Sequence, residues 1–283
     1  MLRDALKEHL AVTVKPTPTW FVLAVTLAMT TISCEEGSNS TDLDYVERMV
    51  INGIVEAGRT DVEVVITRTL RLDEVFTVER AVLADVTARA IDEAGSVFPF
   101  VYDTLGLYRA TGLTLNPGQR IRLEAQWRGK VVEASTVIPY PVDLTSCRIS
   151  ADTVRGRGYF LETTVRMRPN ETYGQTYEIR RSGTALEGGR FTEVVRLADS
   201  DVTGEARIVE SYDFSLDPSD TVVAVVHSYD QPFYDFFITR GSNAPGYDDL
   251  LFRQTGGPIN WNVSGDGIGL FIGHATLRKR VLP

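Results

Sequence analysis

An acidic segment in the second half of the chain has the residue spacing of an EF-hand calcium loop. It reads D-S-D-V-T-G-E-A-R-I-V-E and begins at Asp199. In such loops, carboxylates at the first, third and twelfth positions, with glycine at the sixth, wrap a hard cation. The candidate metal ligands are Asp199, Asp201, Thr203, Glu205 and Glu210.

The sequences that flank this segment favour a hairpin over a calcium site. An EF-hand loop joins two helices, whereas the flanking runs F-T-E-V-V-R-L and A-R-I-V-E-S-Y are β-like. A strand after the loop would carry Glu210 away from the other ligands. We therefore interpret the segment as a polar hairpin loop, with adventitious calcium binding as the alternative.

No other set of residues forms a recognisable catalytic motif. The chain has three histidines, of which His9 lies in the leader. His227 and His274 lie in strand-like runs, and their spacing supplies no further metal ligands. The sequence has no serine nucleophile elbow and no phosphate-binding glycine loop. We predict a protein that is not an enzyme and uses no cofactor; a hydrolase, the alternative, would need a deep cleft with paired carboxylates.

Aromatic residues are concentrated near the end of the chain and are the other candidates for ligand contact. Aromatic faces stack on the apolar surfaces of sugars and peptides. Packing of a helix on a core accounts for most of the group, but Tyr247 and Trp261 lie in glycine- and proline-rich loops and are predicted to be exposed. The group comprises Tyr229, Phe233, Tyr234, Phe236, Phe237, Tyr247, Phe252 and Trp261.

Cys34 follows a segment that is typical of a secretory signal. Residues 20–32 are apolar and carry no charge, and a run of this length is short for a membrane span but suits a signal core. The letters T-I-S-C resemble a lipobox, although Thr31 stands where leucine is usual. We predict a signal peptide over residues 1–33, a diacylated Cys34 that anchors the protein in a membrane, and a flexible linker over residues 34–41.

The other cysteine, Cys147, lacks an intramolecular partner if Cys34 carries lipid. Free cysteine is among the most buried residue types, and reactive thiols need an exposed, electropositive setting. We therefore expect a packed, inert thiol at Cys147.

The charge of the chain disfavours nucleic acid as a partner. The formal net charge is -9, from 29 basic and 38 acidic residues. Three basic and two acidic residues precede Cys34, so the mature chain has 26 basic and 36 acidic residues. An acidic surface repels phosphate backbones and anionic lipid headgroups.

Alternating apolar residues between turn signals predict an all-β fold from Asp42 onwards. Prolines at 139 and 141 mark a boundary between two domains, over residues 42–140 and 141–283. The first is predicted to be an immunoglobulin- or transthyretin-like β-sandwich, and the second an antiparallel β domain with one short helix. That helix would begin after Asp230 as N-cap and end at Gly241. The strands predicted from the pattern cover 62–69, 82–91, 121–127, 131–138, 159–167, 176–181, 191–197, 206–214 and 221–229, with a final one after Gly265.

Motifs in both halves resemble those of a known family. The first half contains V-I-N-G at 50–53, A-S-T-V-I-P at 134–139, and a Gly-x-Tyr strand with a Pro-Gly turn at 106–118 that is similar to carboxypeptidase-regulatory domains. The second half contains Y-D-Q-P-F-Y-D-F-F at 229–237 and N-V-S-G-D-G-I-G-L-F-I-G at 262–273. The chain resembles the Bacteroidota outer-membrane lipoprotein family catalogued as domain of unknown function 4249.

This resemblance implies an outer-membrane lipoprotein, often encoded beside a TonB-dependent transporter, with no established activity. Glu35 and Glu36, directly after Cys34, resemble the signal that exports such lipoproteins to the cell exterior. We expect a surface-exposed accessory or binding protein that acts with a TonB-dependent transporter on an unknown ligand. The alternative is a structural or adhesive envelope protein that imports no ligand.

Overall fold

Alternating apolar and polar residues form strands over most of the chain, as the sequence predicts. In Met49–Glu56 (β1) every second side chain is buried and those between are exposed or half-buried, so one face of the strand lies on a core. The computed structural model describes residues 45–154, 156–181, 184–188, 194–195, 204–213, 215–217, 220–241 and 258–281. The all-β prediction is confirmed.

The largest sheet has nine described strands and runs through both halves of the chain. Along the sheet the order is β12-β11-β15-β17-β1-β2-β6-β5, and β13 pairs separately with β11. Its strands are β1 Met49–Glu56, β2 Asp61–Arg68, β5 Val101–Tyr102, β6 Leu107–Thr111, β11 Thr172–Arg181, β12 Thr184–Gly188, β13 Val194–Val195, β15 Asp220–Tyr229 and β17 Gly267–Val281.

The other described strands form two smaller sheets. One has the order β16-β8-β7-β3-β4, and the other has the order β14-β10-β9. Their strands are β3 Thr87–Ile91, β4 Val97–Pro99, β7 Arg120–Trp127, β8 Lys130–Val137, β9 Asp143–Ala151, β10 Tyr159–Arg166, β14 Glu205–Tyr212 and β16 Val263–Gly265.

Each smaller sheet packs on a different part of the large one, which makes two sandwiches with separate cores. Side chains of β1, β2 and β6 share a core with those of β3, β7 and β8, and fully buried Trp127 belongs to it. Side chains of β11 and β15 pack against β10 and β14 in two further clusters. Val263 and Phe271, from the end of the chain, also belong to the first of these cores, so that sandwich contains residues from both sides of the boundary predicted near residue 140.

The last strand, β17, joins the two sandwiches. Its first half runs parallel to β1, from Gly267 opposite Met49 to His274 opposite Glu56. Its second half pairs with β15 in antiparallel fashion as far as Val281. The chain from Glu47 to Pro283 consequently forms one compact unit. The sequence predicted antiparallel pairing only. The parallel pair of β1 and β17 differs from that prediction, and it depends on a contact between the two ends of the chain.

Two helices interrupt the strands in the part of the chain that the structure describes. The predicted helix after Asp230 is present as Gln231–Gly241 (α2). A second, short helix, Val78–Ala81 (α1), is capped by the Thr77 hydroxyl. This helix and the turn after it occupy the start of the strand predicted over 82–91, which begins only at Thr87. Within the described residues, no helix has the length and apolar character needed to cross a membrane.

Strand β9 contains Cys147 and lies where the sequence predicted no strand. Most of its side chains are exposed or half-buried, so the alternation that identifies a strand is weak here. The Cys147 thiol is half-buried and unpaired. Burial raises the pKa of this thiol to about 11, although the nearby Lys279 acts in the opposite direction. A thiol with this pKa is almost entirely protonated at neutral pH and reacts slowly.

Candidate functional site

The candidate calcium ligands that the structure describes lie along a strand. Glu205 is the first residue of β14, and Glu210 lies five residues further on. At about 3.3 Å per residue they are roughly 16 Å apart, and their side chains leave opposite faces of the strand. They do not converge on one cation. Asp199, Asp201 and Thr203 lie outside the described residues.

The hairpin interpretation of this acidic segment is wrong. The described strand before it, β13, pairs with β11 in the large sheet. The strand after it, β14, pairs with β10 in another sheet. The segment thus connects two sheets, because each flanking strand finds its partner elsewhere in the chain. In the part of the chain that the structure describes, no three His, Cys, Asp or Glu side chains are placed to hold a metal ion.

Three aromatic residues of β15 and α2 form a row. The ring of Tyr229 stacks on Phe233 with 4.0 Å between centroids, and Phe233 is followed by Phe237 at 6.1 Å. Trp261 packs on Phe236 at 5.2 Å and is 39% exposed, which agrees with the exposure predicted for it. Tyr247 and Phe252 lie outside the described residues.

Two histidines extend this row and share a hydrogen bond. His227 Nδ1 and His274 Nε2 are 3.1 Å apart, and His227 Nε2 is 3.0 Å from the hydroxyl of Thr176. The ring of His274 stacks on Tyr229 at 4.7 Å. Burial lowers the pKa of each histidine to about 4, and for His227 the neighbouring His274 adds to this. The pair is therefore neutral at physiological pH.

Replacement of His274 by glutamine is expected to reduce the acid sensitivity of the fold. Because the folded-state pKa lies below the ordinary value of 6.5, stability from this group is complete above pH 6.5 and is lost as the pH falls towards 4. The loss is on the order of 2 kcal/mol for each histidine. Urea unfolding at pH 4.5 and pH 7 measures it; His274→Gln should lose less stability between these two values than the unchanged protein. An equal loss in both would show that His274 is protonated in the folded state.

A cavity of about 860 Å³ opens where the two sandwiches meet, and we call it the junction cavity. Its walls are the end of β8, the segment that leads into β9, the turn between β10 and β11, and the first residues of α2. Its apolar lining consists of Val137, Ile138, Pro139, Met167, Pro169 and Pro232. Its charged lining consists of Arg120, Asp143, Arg166, Arg168, Glu171 and Asp230.

Asp230 is the most unusual of these charged residues. It is only 5% exposed, and its Oδ2 accepts a hydrogen bond from the hydroxyl of Thr136. Its Oδ1 makes no hydrogen bond of normal geometry among the described residues, although backbone groups of Phe233, Val137 and Gly273 lie near enough to the carboxyl group to favour its charged form. Burial raises the pKa of Asp230 to about 7, although the Thr136 hydroxyl and nearby backbone groups favour the charged form. A buried carboxyl oxygen without a partner is costly and is often explained by a bound group.

Glu171 is also buried, but its hydrogen bonds are complete. Its Oε1 accepts from the backbone N–H of Tyr140 at 2.9 Å. Its Oε2 accepts from the hydroxyl of Tyr173 at 2.5 Å and from that of Ser228 at 3.1 Å. Burial and the neighbouring carboxylate raise the pKa of Tyr173, so this hydroxyl stays protonated. Glu171 consequently holds the segment around Tyr140 against β11 and β15.

Two arginines of the junction cavity have no carboxylate partner among the described residues, in contrast to Arg166, which pairs with Asp143 at 3.5 Å. The guanidinium of Arg168 stacks on the ring of Tyr140 at 4.6 Å. Arg120, at the start of β7, lines the same space. When a guanidinium stacks on an aromatic ring, its N–H groups point outward in the plane of the guanidinium. There they are free to bind an anion.

Sequence reasoning missed the junction cavity. Asp230 was predicted only as a helix N-cap, and the arginines carried no motif. The hydrogen bond between Asp230 and Thr136 joins residues that are 94 positions apart in the sequence. A local sequence pattern cannot predict such a contact. The only available signal was a carboxylate directly after the apolar strand T-V-V-A-V-V-H-S-Y.

A comparison with family models identifies the chain. The family described as domain of unknown function (DUF4249) matches residues 38–280. The chain is a DUF4249 protein. The resemblance predicted from its motifs is thus confirmed, and the matched region includes every residue of the junction cavity. No curated protein matches this DUF4249 chain at a significant level.

Solved structures show only distant likenesses. A DUF4785 family protein from Legionella pneumophila is 11% identical over 67% of this chain and 54% of its own, with a TM-score of 0.25. Bovine butyrophilin is 12% identical over 64% of this chain and 92% of its own, with a TM-score of 0.22. Three N-terminal domains of the bacteriophage RB49 outer capsid protein Hoc are 11% identical over 83% and 69%, with a TM-score of 0.23. The DUF4249 chain spans about half of the Legionella protein, and these likenesses carry no argument about function.

Proposed function

We propose that this DUF4249 protein is a lipid-anchored, non-enzymatic binding protein of the outer membrane. It faces the cell exterior, holds a small apolar anion in the junction cavity and works with a TonB-dependent transporter. The observation that carries the proposal is the cavity of about 860 Å³ with a buried carboxyl oxygen, on Asp230, that makes no hydrogen bond of normal geometry among the described residues. Small-molecule sites are commonly concave, mostly apolar and equipped with a few convergent polar groups.

The lining indicates which chemistry the ligand has. Arg168 and Arg120 lack carboxylate partners in the described part of the chain, and both can donate paired hydrogen bonds to a carboxylate, sulfonate or phosphate. The wall that contains Pro139, Pro169 and Pro232 can contact the apolar part of a ligand. Asp230, with a pKa of about 7, exchanges hydrogen bonds with a polar group of the ligand in either protonation state. The ligand is therefore an amphipathic anion.

The same residues argue for binding rather than hydrolysis. Three carboxyl groups line the cavity, and Asp143 pairs with Arg166. The two buried ones, Glu171 and Asp230, are the minimum set for acid–base hydrolysis. Both oxygens of Glu171, however, accept hydrogen bonds from Tyr140, Tyr173 and Ser228. A carboxylate held in this way positions a loop, and its oxygens are occupied by groups of the protein.

The location and the transporter partner rest on the sequence. The apolar segment before Cys34, the small residue Ser33 and the acidic pair after the cysteine all support a lipoprotein exported to the cell surface. A lipid-tethered binding protein next to a transporter raises the local concentration of its ligand at the channel. The family resemblance supports the same partner.

The ligand site can be tested with anilinonaphthalene sulfonate, an apolar anion whose fluorescence rises on binding. Arg168→Ala should weaken its affinity about tenfold, because a charge-assisted hydrogen bond is worth about 1.5–3 kcal/mol. Arg157→Ala is the matched control, since Arg157 is 74% exposed and pairs with Asp213 away from the cavity lining. Equal affinities in the two variants would place the anion elsewhere, and thermal unfolding checks that both variants remain folded.

The anchor and the partner can be tested together. The tagged protein is extracted from membranes, and mass spectrometry is applied to its N-terminus and to its co-purifying proteins. We expect an acylated Cys34 and a stoichiometric outer-membrane β-barrel. An acylated Cys34 without a barrel would favour the alternative of a structural or adhesive envelope protein. An unmodified Cys34 would contradict the membrane anchor.

A further inference from the structure

One loop of the first sandwich exposes four large apolar side chains to solvent. Between β2 and the end of α1, Leu72 is 97% exposed, Val75 72%, Phe76 69% and Val78 43%. Soluble proteins rarely leave such side chains grouped in one place unless they contact another apolar phase. The loop is part of the described chain and is separate from the junction cavity.

This loop lies beside the point where the chain enters β1. The backbone N–H of Thr69 donates to the carbonyl of Arg48 at 3.0 Å, and the N–H of Arg48 donates to the hydroxyl of Thr69 at 3.0 Å. Arg68 forms an ion pair with Glu47 at 2.7 Å. The loop therefore starts at the end of the sandwich to which the linker from Cys34 delivers the chain.

A fifth exposed apolar side chain is held at the same end. Leu105 is 61% exposed and has a positive φ of 48°, which is unusual for a leucine. The next residue, Gly106, accepts a hydrogen bond from the N–H of Ile66 at 2.8 Å, so this turn lies against the last residues of β2. We call Leu72, Val75, Phe76, Val78 and Leu105 together the apolar end.

The tether limits which apolar phase the apolar end can meet. Glu47 follows Cys34 by thirteen residues, and a fully extended chain of that length spans at most about 45 Å. If Cys34 is lipidated, Glu47 is never further than this from the bilayer surface, and the effective concentration of the bilayer at the neighbouring loop is high. Resting on the proposed lipid at Cys34, we propose that the apolar end inserts into the interface of the phospholipid bilayer and fixes the orientation of the domain.

The polar surroundings suit a zwitterionic lipid surface. Arg71 and Asp73 form an ion pair within the loop at 3.1 Å, so the loop brings both signs of charge to the membrane. The turn after Trp127 also lies at this end, because Lys130 donates to the backbone carbonyl of Glu47. It carries the exposed Arg128, whose guanidinium can bind a lipid phosphate. Apolar side chains flanked by cations are typical of interfacial membrane contacts.

The full-length lipoprotein, reconstituted in phosphatidylcholine vesicles, provides the test. Phe76→Trp places a fluorophore at the apolar end, and Val154→Trp, at a residue that is 88% exposed in another loop, is the matched control. Brominated phosphatidylcholine quenches tryptophan only within the bilayer. The signal of the unsubstituted protein is subtracted, because the chain has tryptophans of its own. Quenching of the tryptophan at position 76 should then be at least about three times as strong as quenching at position 154. Adding Leu72→Ser and Val75→Ser to Phe76→Trp should reduce it to the level of the control.

Each other outcome has a defined meaning. An acylated Cys34 with equal quenching at positions 76 and 154 overturns the insertion and leaves the proposed ligand site untouched. Equal quenching together with a dimer that Leu72→Ser abolishes overturns it in favour of contact between two copies. A Cys34 without lipid overturns both the tether and the insertion. If the unsubstituted protein does not bind anilinonaphthalene sulfonate, the proposed ligand site is refuted and the proposed membrane insertion is not affected.

Discussion

Replacement of Asp230 by asparagine should remove a decline in stability that the protein shows as the pH rises. Burial raises the folded-state pKa of Asp230 from 3.8 to about 7. Between these values the folded state keeps a proton that the unfolded chain releases, so the stability from this group is complete below pH 3.8 and is lost as the pH rises to about 7. Three pKa units correspond to about 4 kcal/mol. An amide of the same shape has no such titration.

The measurement is urea unfolding of the unchanged protein and of Asp230→Asn at pH 4, 5.5, 7 and 8. Other groups, including the neutral pair His227 and His274, titrate in both proteins, so the difference between the two unfolding free energies isolates Asp230. Asp230→Asn should gain about 4 kcal/mol relative to the unchanged protein between pH 4 and pH 8. A difference that stays constant with pH would mean that the buried carboxylate is compensated in its charged form, which would remove the argument for an unpartnered oxygen.

The alternation of apolar and polar residues was enough to predict the strands that bury one face against a core. The predicted runs at 62–69, 121–127, 131–138 and 221–229 agree with β2, β7, β8 and β15 to within about one residue at each end. The pattern is informative there because every second side chain is buried, and burial imposes a period of two on the sequence. Where the burial pattern is weak, as in β9, the same reasoning found no strand.

The order of the strands in the sheets could not be predicted, because it depends on contacts between distant residues. Strand β17 pairs with β1 although more than 200 residues separate them in the sequence. Asn262 adds to this arrangement: its side chain accepts from the N–H of Phe271 at 2.9 Å and donates to the carbonyl of Ser135 at 3.1 Å. The motif N-V-S-G-D-G-I-G-L-F-I-G indicated a turn and a strand. Its residue types, however, do not show that the strand pairs with β1 or that the turn pairs with β8.

The candidate site shows the same limit. The sequence identified Asp230 as the residue before a helix, and α2 does begin at Gln231. Its burial follows from the approach of β8 and β17, which is a property of the assembled sheets. The residues with recognisable motifs, Glu205 and Glu210, lie apart on a strand, while the arginines of the junction cavity belong to no motif.

Replacement of Gly273 by alanine is expected to cause a large loss of stability, because β17 and β8 touch through this glycine. A Cβ atom there would lie 2.3 Å from the carbonyl oxygen of Val137 and 2.9 Å from the hydroxyl of Thr136. The nearest of these atoms belongs to backbone, so the strands must separate. Overpacking of this kind costs about 1–3 kcal/mol and occasionally more, and we expect about 3 kcal/mol in the free energy of unfolding.

The matched control is Gly95→Ala, in a turn where a Cβ would meet nothing within 4 Å but φ is +85°. It should cost about 1 kcal/mol from backbone strain alone. Gly273 also accepts a hydrogen bond from the N–H of Asp230 at 3.3 Å, and Thr136 donates to the carboxylate of that residue. Separation of the strands therefore moves Asp230, and Gly273→Ala should weaken anilinonaphthalene sulfonate binding where Gly95→Ala does not. Equal stability and equal binding in the two variants would show that β8 and β17 adapt to the methyl group and that the junction cavity does not depend on their close contact.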